Sequence, residues 1–241
     1  MHAYVTDTIS AFGYLSVQGP RSRELLSSIT DAELSNETLP YFRFIEADVA
    51  EVPTLVSRTG YSGELGYELY YDRDYAEHVW DSVLEAGRDL GIEPCGLGAL
   101  RSVRMEKKYP LYGLDVSEET SPLEAGLRWA VDLDKNGFVG QEALNQQEET
   151  GISRLLLGIE FADEAFLPAI GDEVTAEGRP VGAVTSSDTG HFLGKALAMA
   201  YVPPDLAGAT VTVMSTEADD RADGIVTDRP FYDPERTRLR T

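Results

Sequence analysis

With 42 acidic residues against 20 basic ones, this 241-residue chain carries a formal net charge of -22. Such a charge repels phosphate backbones and anionic lipid, and so argues against nucleic acid and membrane as partners. The 42% hydrophobic content suffices for a core, the single cysteine excludes an intrachain disulfide, and three histidines with one thiol exclude a zinc cluster at the usual ligand spacings. No metal site is therefore expected. The acids are scattered between apolar positions, the composition expected of a halophilic protein kept soluble in a salt-rich cytoplasm. No leader is read at the start and no apolar run approaches a membrane span, so a cytoplasmic location is expected.

In chain order, Ser10 to Pro20 reads as a strand ending in a Gly-Pro turn, followed by a helix over 21–29 with Leu25, Leu26 and Ile29 on one face. Alternation through Tyr41 to Glu46 predicts a second strand. The stretch VPTLVSRTGY and the stretch LGYELYYD predict a hairpin with a glycine-rich connection. Residues 74–91 have a helical period through Tyr75, Val79, Val83 and Ala86. A short helix over about 97–107 follows, then a strand from Trp129 to Leu133 and a helix over about 140–148. Trp80 and Trp129 read as packing residues, and Cys95 as a packed thiol. After a polar run at 144–153 the texture changes to short strands separated by turn residues, which suggests a small antiparallel sheet or barrel. The expected organisation is an α+β region over 1–150 and a β-barrel over 151–241.

The segment RTGYSGELGYELYY, Arg58 to Tyr71, sets three glycines and four tyrosines beside two glutamates, Glu64 and Glu68. Strand alternation places Glu68 and Tyr70 on one face and Tyr67, Leu69 and Tyr71 on the other. One reading is a hairpin whose glycines supply positive φ and whose rings pack on a sheet. The other is a ligand edge. A carboxylate accepts two parallel hydrogen bonds from the 2-amino-amide edge of a pterin, and tyrosine faces flank such a ring.

Four ordered motifs bear on that choice. RTGYSGELGYE resembles a signature of the glycine-cleavage T-protein (aminomethyltransferase) family. GLGALRSVRMEKKYPLYGLDVSEETSPLEAGLRWAVDLDKNGFVGQEAL is similar to its next long signature, VGAVTSSDTGHFLGKALAMAYVP to its barrel segment, and RPFYDPERTRLR to its closing element. The resemblance implies partial folate-binding domains followed by a C-terminal antiparallel barrel. It also implies tetrahydrofolate as co-substrate: an aminomethyl group on the lipoyl arm of H-protein is transferred, giving methylene-tetrahydrofolate and ammonia. By motif position Glu68 grips the pterin edge, Tyr61 walls the cleft, and Glu64 sits in the glycine turn. Arg104 matches an arginine of the family's helix. Leu100 stands where the family has another, with Arg101 one place further on. Family members carry an N-terminal third ahead of YLSVQGP that supplies an aspartate. The catalytic aspartate is therefore expected outside these residues, and a polypeptide supplying that third, or a second copy of the chain, is expected as a partner. The alternatives are a noncatalytic folate-binding or regulatory module, and a folate-dependent demethylase of a small dimethylglycine-like compound.

Overall fold

A computed structural model describes residues 2–216 and 220–241. Their contacts form two compact units, Met1–Leu100 with Glu235–Thr241, and Arg101–Pro234.

The first unit is built on a four-stranded antiparallel sheet of β1 (Phe12–Gln18), β2 (Phe44–Val49), β3 (Val52–Ser57) and β4 (Gly66–Asp72), in the order β1-β4-β3-β2. Helices α1 (Ser22–Ser27) and α2 (Ala76–Gly87) cover one face. The core there joins Leu25, Leu26, Val79 and Val83 of the helices to Val17, Val56, Tyr67, Leu69 and Tyr71 of the strands. From Tyr67 onward burial in β4 alternates residue by residue, because successive side chains leave a strand on opposite sides. Tyr67, Leu69 and Tyr71 enter the core, while Glu68 and Tyr70 emerge on the face opposite the helices. That opposite face also carries Phe12, Tyr14 and Phe44, all more than half exposed.

The helix expected from residue 74 begins two residues later. Asp72 accepts a hydrogen bond from the Asp74 amide and winds Arg73–Tyr75 into a 3-10 turn, which leaves Tyr75 exposed. Helix α3 spans Leu97–Glu106 and α4 spans Gln141–Thr150.

The strand expected over 129–133 is absent. Arg128–Ala130 forms a 3-10 turn closed by the Arg128 guanidinium on the Val131 carbonyl at 2.8 Å. Trp129 is exposed, so apolar alternation here marks no buried strand. Trp80 is also partly exposed at 42%, and Cys95 is exposed, so neither is the packed side chain the sequence suggested.

The second unit contains a closed six-stranded antiparallel barrel, in the order β10-β5-β8-β7-β6-β9. Its strands are β5 (Leu155–Phe161), β6 (Glu173–Ala176), β7 (Arg179–Gly190), β8 (Lys195–Val202), β9 (Thr210–Ser215) and β10 (Asp220–Thr227). Closure leaves no free edge, and Leu157, Ile159, Val184, Ala198, Val213 and Val226 share its apolar core. Where β7 meets β8, Val184 pairs with Ala200 and Ser186 with Met199, so Thr185 is an extra, bulged residue.

Candidate functional site

Glu68 projects from the middle of β4, half-buried, onto the face opposite the helices. Antiparallel register puts Ser16 of β1 and Ser57 of β3 on either side of it, and Tyr14 directly opposite Tyr70. Three hydroxyls converge on the carboxylate. Tyr14 donates to Oε1 at 2.9 Å, Thr59 to Oε2 at 2.6 Å and Tyr70 to Oε2 at 3.1 Å. Since the one Thr59 proton goes to Glu68, the Ser57 hydroxyl at 3.0 Å is the donor to Thr59 and backs it from behind. The Tyr14 and Tyr70 rings lie 5.2 Å apart, tilted by 50°. Burial first, then the Glu68 hydrogen bond and charge, push the Tyr14 phenol up to about 12. Burial and the same carboxylate raise Tyr70. Both phenols therefore remain protonated donors at neutral pH. Among the described residues no lysine or arginine pairs with Glu68.

The glycine-rich connection between β3 and β4 is fastened from β1. The Gln18 carboxamide donates to the Thr59 carbonyl at 3.2 Å and accepts from the Ser62 hydroxyl at 2.8 Å. A Cβ built on either Gly60 or Gly66 would lie 2.1 Å from the Gln18 Oε1. These two glycines thus make room for Gln18, which holds the turn. Tyr61 and Glu64 are half-buried in the same connection, and the Glu64 amide donates to the Ser62 hydroxyl at 3.2 Å.

Arg58, at the head of the motif, turns the other way. It is 1% exposed, and its guanidinium donates to the Leu39 carbonyl at 3.0 Å, the Leu239 carbonyl at 3.0 Å and the Asn36 side chain. It holds the residues 239–241 against the first unit.

The structure thus brings Glu68, Tyr61 and Glu64 together in one unit, while Arg101 and Arg104 belong by their contacts to the other. Arg101 is exposed on α3. Arg104 is buried, and its Nη1 donates to Asp115 Oδ2 at 2.7 Å and to the Tyr109 carbonyl at 3.1 Å. Asp115 takes three more donors: the Leu111 amide at 2.9 Å, Thr185 at 2.5 Å and Ser186 at 2.6 Å. Consecutive strand residues ordinarily face opposite ways. The bulge at Thr185 is what lets both hydroxyls reach the same oxygen.

Tyr14, Thr59 and Gln18 were not singled out as site residues by the sequence reading. Tyr14 lies 54 positions from Glu68. The only local signal was that Phe12, Tyr14 and Ser16 share one face of a strand.

No helix among the described residues is long and apolar enough to cross a membrane, and no group of three or more acidic, histidine or cysteine side chains among them is arranged to hold a metal ion. Residues 2–135 match the family model described as the GCVT N-terminal domain. Residues 154–233 match the glycine cleavage T-protein C-terminal barrel domain. The chain is 40% identical over 230 residues to an aminomethyltransferase of Shouchella clausii, covering 95% of this chain and 62% of that protein. It is 39% identical over 222 residues to an aminomethyltransferase of Bacillus subtilis, covering 90% and 60%. The crystal structure of glycine cleavage system aminomethyltransferase T from Bartonella henselae superposes with a TM-score of 0.80 at 27% identity, covering 92% of this chain and 60% of that one. The chain therefore spans about three fifths of the length of these relatives. On the strength of two family models matched in order, the chain belongs to the glycine cleavage T-protein family.

Proposed function

We propose that this chain binds a folate through Glu68 and serves tetrahydrofolate-dependent aminomethyl transfer. In that reaction an aminomethyl group on the lipoyl arm of an H-protein meets tetrahydrofolate, giving methylene-tetrahydrofolate, ammonia and the free dithiol arm. The observation that carries the reading is the Glu68 carboxylate, fixed on a sheet face by three hydroxyls and matched by no cation among the described residues. A carboxylate so placed turns its acceptor oxygens toward a ligand's N–H donors. The residues present fit such a ring: an acceptor for its amide edge, the Tyr14 and Tyr70 faces beside that acceptor, and Tyr61 and Glu64 in the adjoining connection.

Tetrahydrofolate would supply the nitrogen nucleophile, which loses a proton as its bond to the carbon forms. The role of Glu68 is to hold and orient the pterin, and no residue of this chain is assigned as the proton acceptor. The partner proposed is a lipoylated H-protein. The setting proposed is a salt-rich cytoplasm, with folate binding over 1–150 and the barrel over 151–241.

Calorimetric titration of tetrahydrofolate in high salt tests the reading. The wild type is expected to bind, and Glu68→Gln to bind roughly tenfold or more weakly, because hydrogen bonds to a charged group contribute about 1.5–3 kcal/mol. Equal affinity in the two proteins would remove Glu68 from the site, and absence of binding by the wild type would end the proposal.

A further inference from the structure

The hydroxyls around Glu68 raise a question of acceptor capacity. A carboxylate offers about two acceptor positions on each oxygen. Tyr14 occupies one on Oε1, whereas Thr59 and Tyr70 together occupy both on Oε2. A ligand with a single N–H donor finds the open position on Oε1. A ligand with two adjacent N–H donors needs one position on each oxygen, so one of the two donors on Oε2 has to leave.

The two are not equivalent. Thr59 makes the shorter contact, 2.6 Å against 3.1 Å, sits in part-buried surroundings, and is backed by Ser57 at 3.0 Å. The Tyr70 hydroxyl makes its contact in an exposed setting, and the residue is 36% exposed, so water receives the hydroxyl when it swings away.

Building on the folate reading of this site, we propose that Tyr70 is an exchangeable gate on the Glu68 carboxylate. Its hydroxyl holds the second acceptor position on Oε2 until a heterocycle with a two-donor amino-amide edge replaces it. Tyr14 and Thr59 stay in place and fix the plane of the carboxylate. Tyr70 is thus a specificity-determining residue that opposes two-donor ligands and is neutral toward one-donor ligands, and Tyr14 is a positioning residue for both.

The test is calorimetric titration of wild type, Tyr70→Phe, Tyr14→Phe and Glu68→Gln with two ligands. The ligands are tetrahydrofolate and its analogue with a methyl group in place of the 2-amino group. Each Tyr→Phe change keeps the ring, and circular dichroism checks the fold. Removing the competing hydroxyl is expected to tighten tetrahydrofolate binding about threefold to tenfold in Tyr70→Phe, the range set by one net hydrogen bond. Binding of the one-donor analogue is expected to stay unchanged in that variant. Tyr14→Phe is expected to weaken both ligands. If Glu68→Gln weakens tetrahydrofolate but Tyr70→Phe leaves it unchanged or weaker, the gate is overturned while the folate reading stands. An equal gain for both ligands in Tyr70→Phe also overturns it. If Glu68→Gln binds tetrahydrofolate as the wild type does, the folate reading and the gate fall together.

Discussion

Glu68 in the first unit and Asp115 in the second are each surrounded by hydroxyl donors, yet they differ in what else they hold. Asp115 is closed: an arginine, a backbone amide and two hydroxyls fill its two oxygens, and both Asp115 and Arg104 are buried. Among the described residues, Glu68 has hydroxyls alone, with one open acceptor position and no cation. A carboxylate whose charge is neutralised inside the protein fixes structure. One whose charge is only hydrogen-bonded, on an accessible face, remains available to a ligand. The proposed ligand role of Glu68 rests on this difference.

Isosteric amide substitutions pull the two sites apart. Asp115→Asn leaves the Arg104 charge buried and uncompensated, and is expected to cost about 3–5 kcal/mol in denaturant unfolding. Replacing both partners, Asp115→Leu with Arg104→Met, is expected to cost less than either single change, because no charge is left stranded. Were Asp115→Asn to unfold at the wild-type denaturant midpoint, the view of this pair as structural would be wrong.

The connection beside Glu68 should respond next. Ala at Gly66 or Gly60 pushes against the Gln18 carboxamide and breaks its bonds to Thr59 and Ser62, an expected loss of about 1–2 kcal/mol by thermal unfolding. In a Gln18→Ala background the same Gly66→Ala change should cost much less. Strict additivity would contradict the assigned contact.

Glu68→Gln keeps an acceptor for the hydroxyls, and its expected stability change is about 1 kcal/mol or less. A loss comparable to that of Asp115→Asn would erase the distinction between the two carboxylates.

The smallest effect is alkaline. The Tyr14 phenol titrates from 10.0 ordinarily to about 12 in the folded protein. The folded state holds the proton more tightly, so this stabilisation is complete below pH 10 and is lost as pH rises from 10 to about 12. Tyr70 and Tyr71 are raised in the same direction and contribute to the same decline. Unfolding free energy measured across that window is expected to fall less steeply in Tyr14→Phe than in wild type. Parallel curves would show that the folded protein does not hold the Tyr14 proton more tightly than the unfolded chain.

Much of the fold was legible because its cause is local. The two-residue period of LGYELYY separated Tyr67, Leu69 and Tyr71 from Glu68 and Tyr70, and the helices packed on the sheet made the first set the core. Short strands separated by turn residues gave an antiparallel sheet or barrel, and the structure closes it with six strands. Local pattern also misled where no partner arrives. The apolar alternation from Trp129 has no neighbouring strand and forms a turn.

The amino-acid sequence by itself determined the family, the strand faces and the presence of Glu68 beside a glycine-rich connection. Only the tertiary structure decided which donors surround that carboxylate and which arginine is already taken. Tyr14 reaches Glu68 through the β1–β4 register, across 54 positions of chain. Arg104 meets Asp115 across a loop of 11 positions, with Thr185 and Ser186 brought in by a strand bulge some 70 residues further on. Hydrogen-bond capacity is set by neighbours in space, and strand register and a bulge chose those neighbours here.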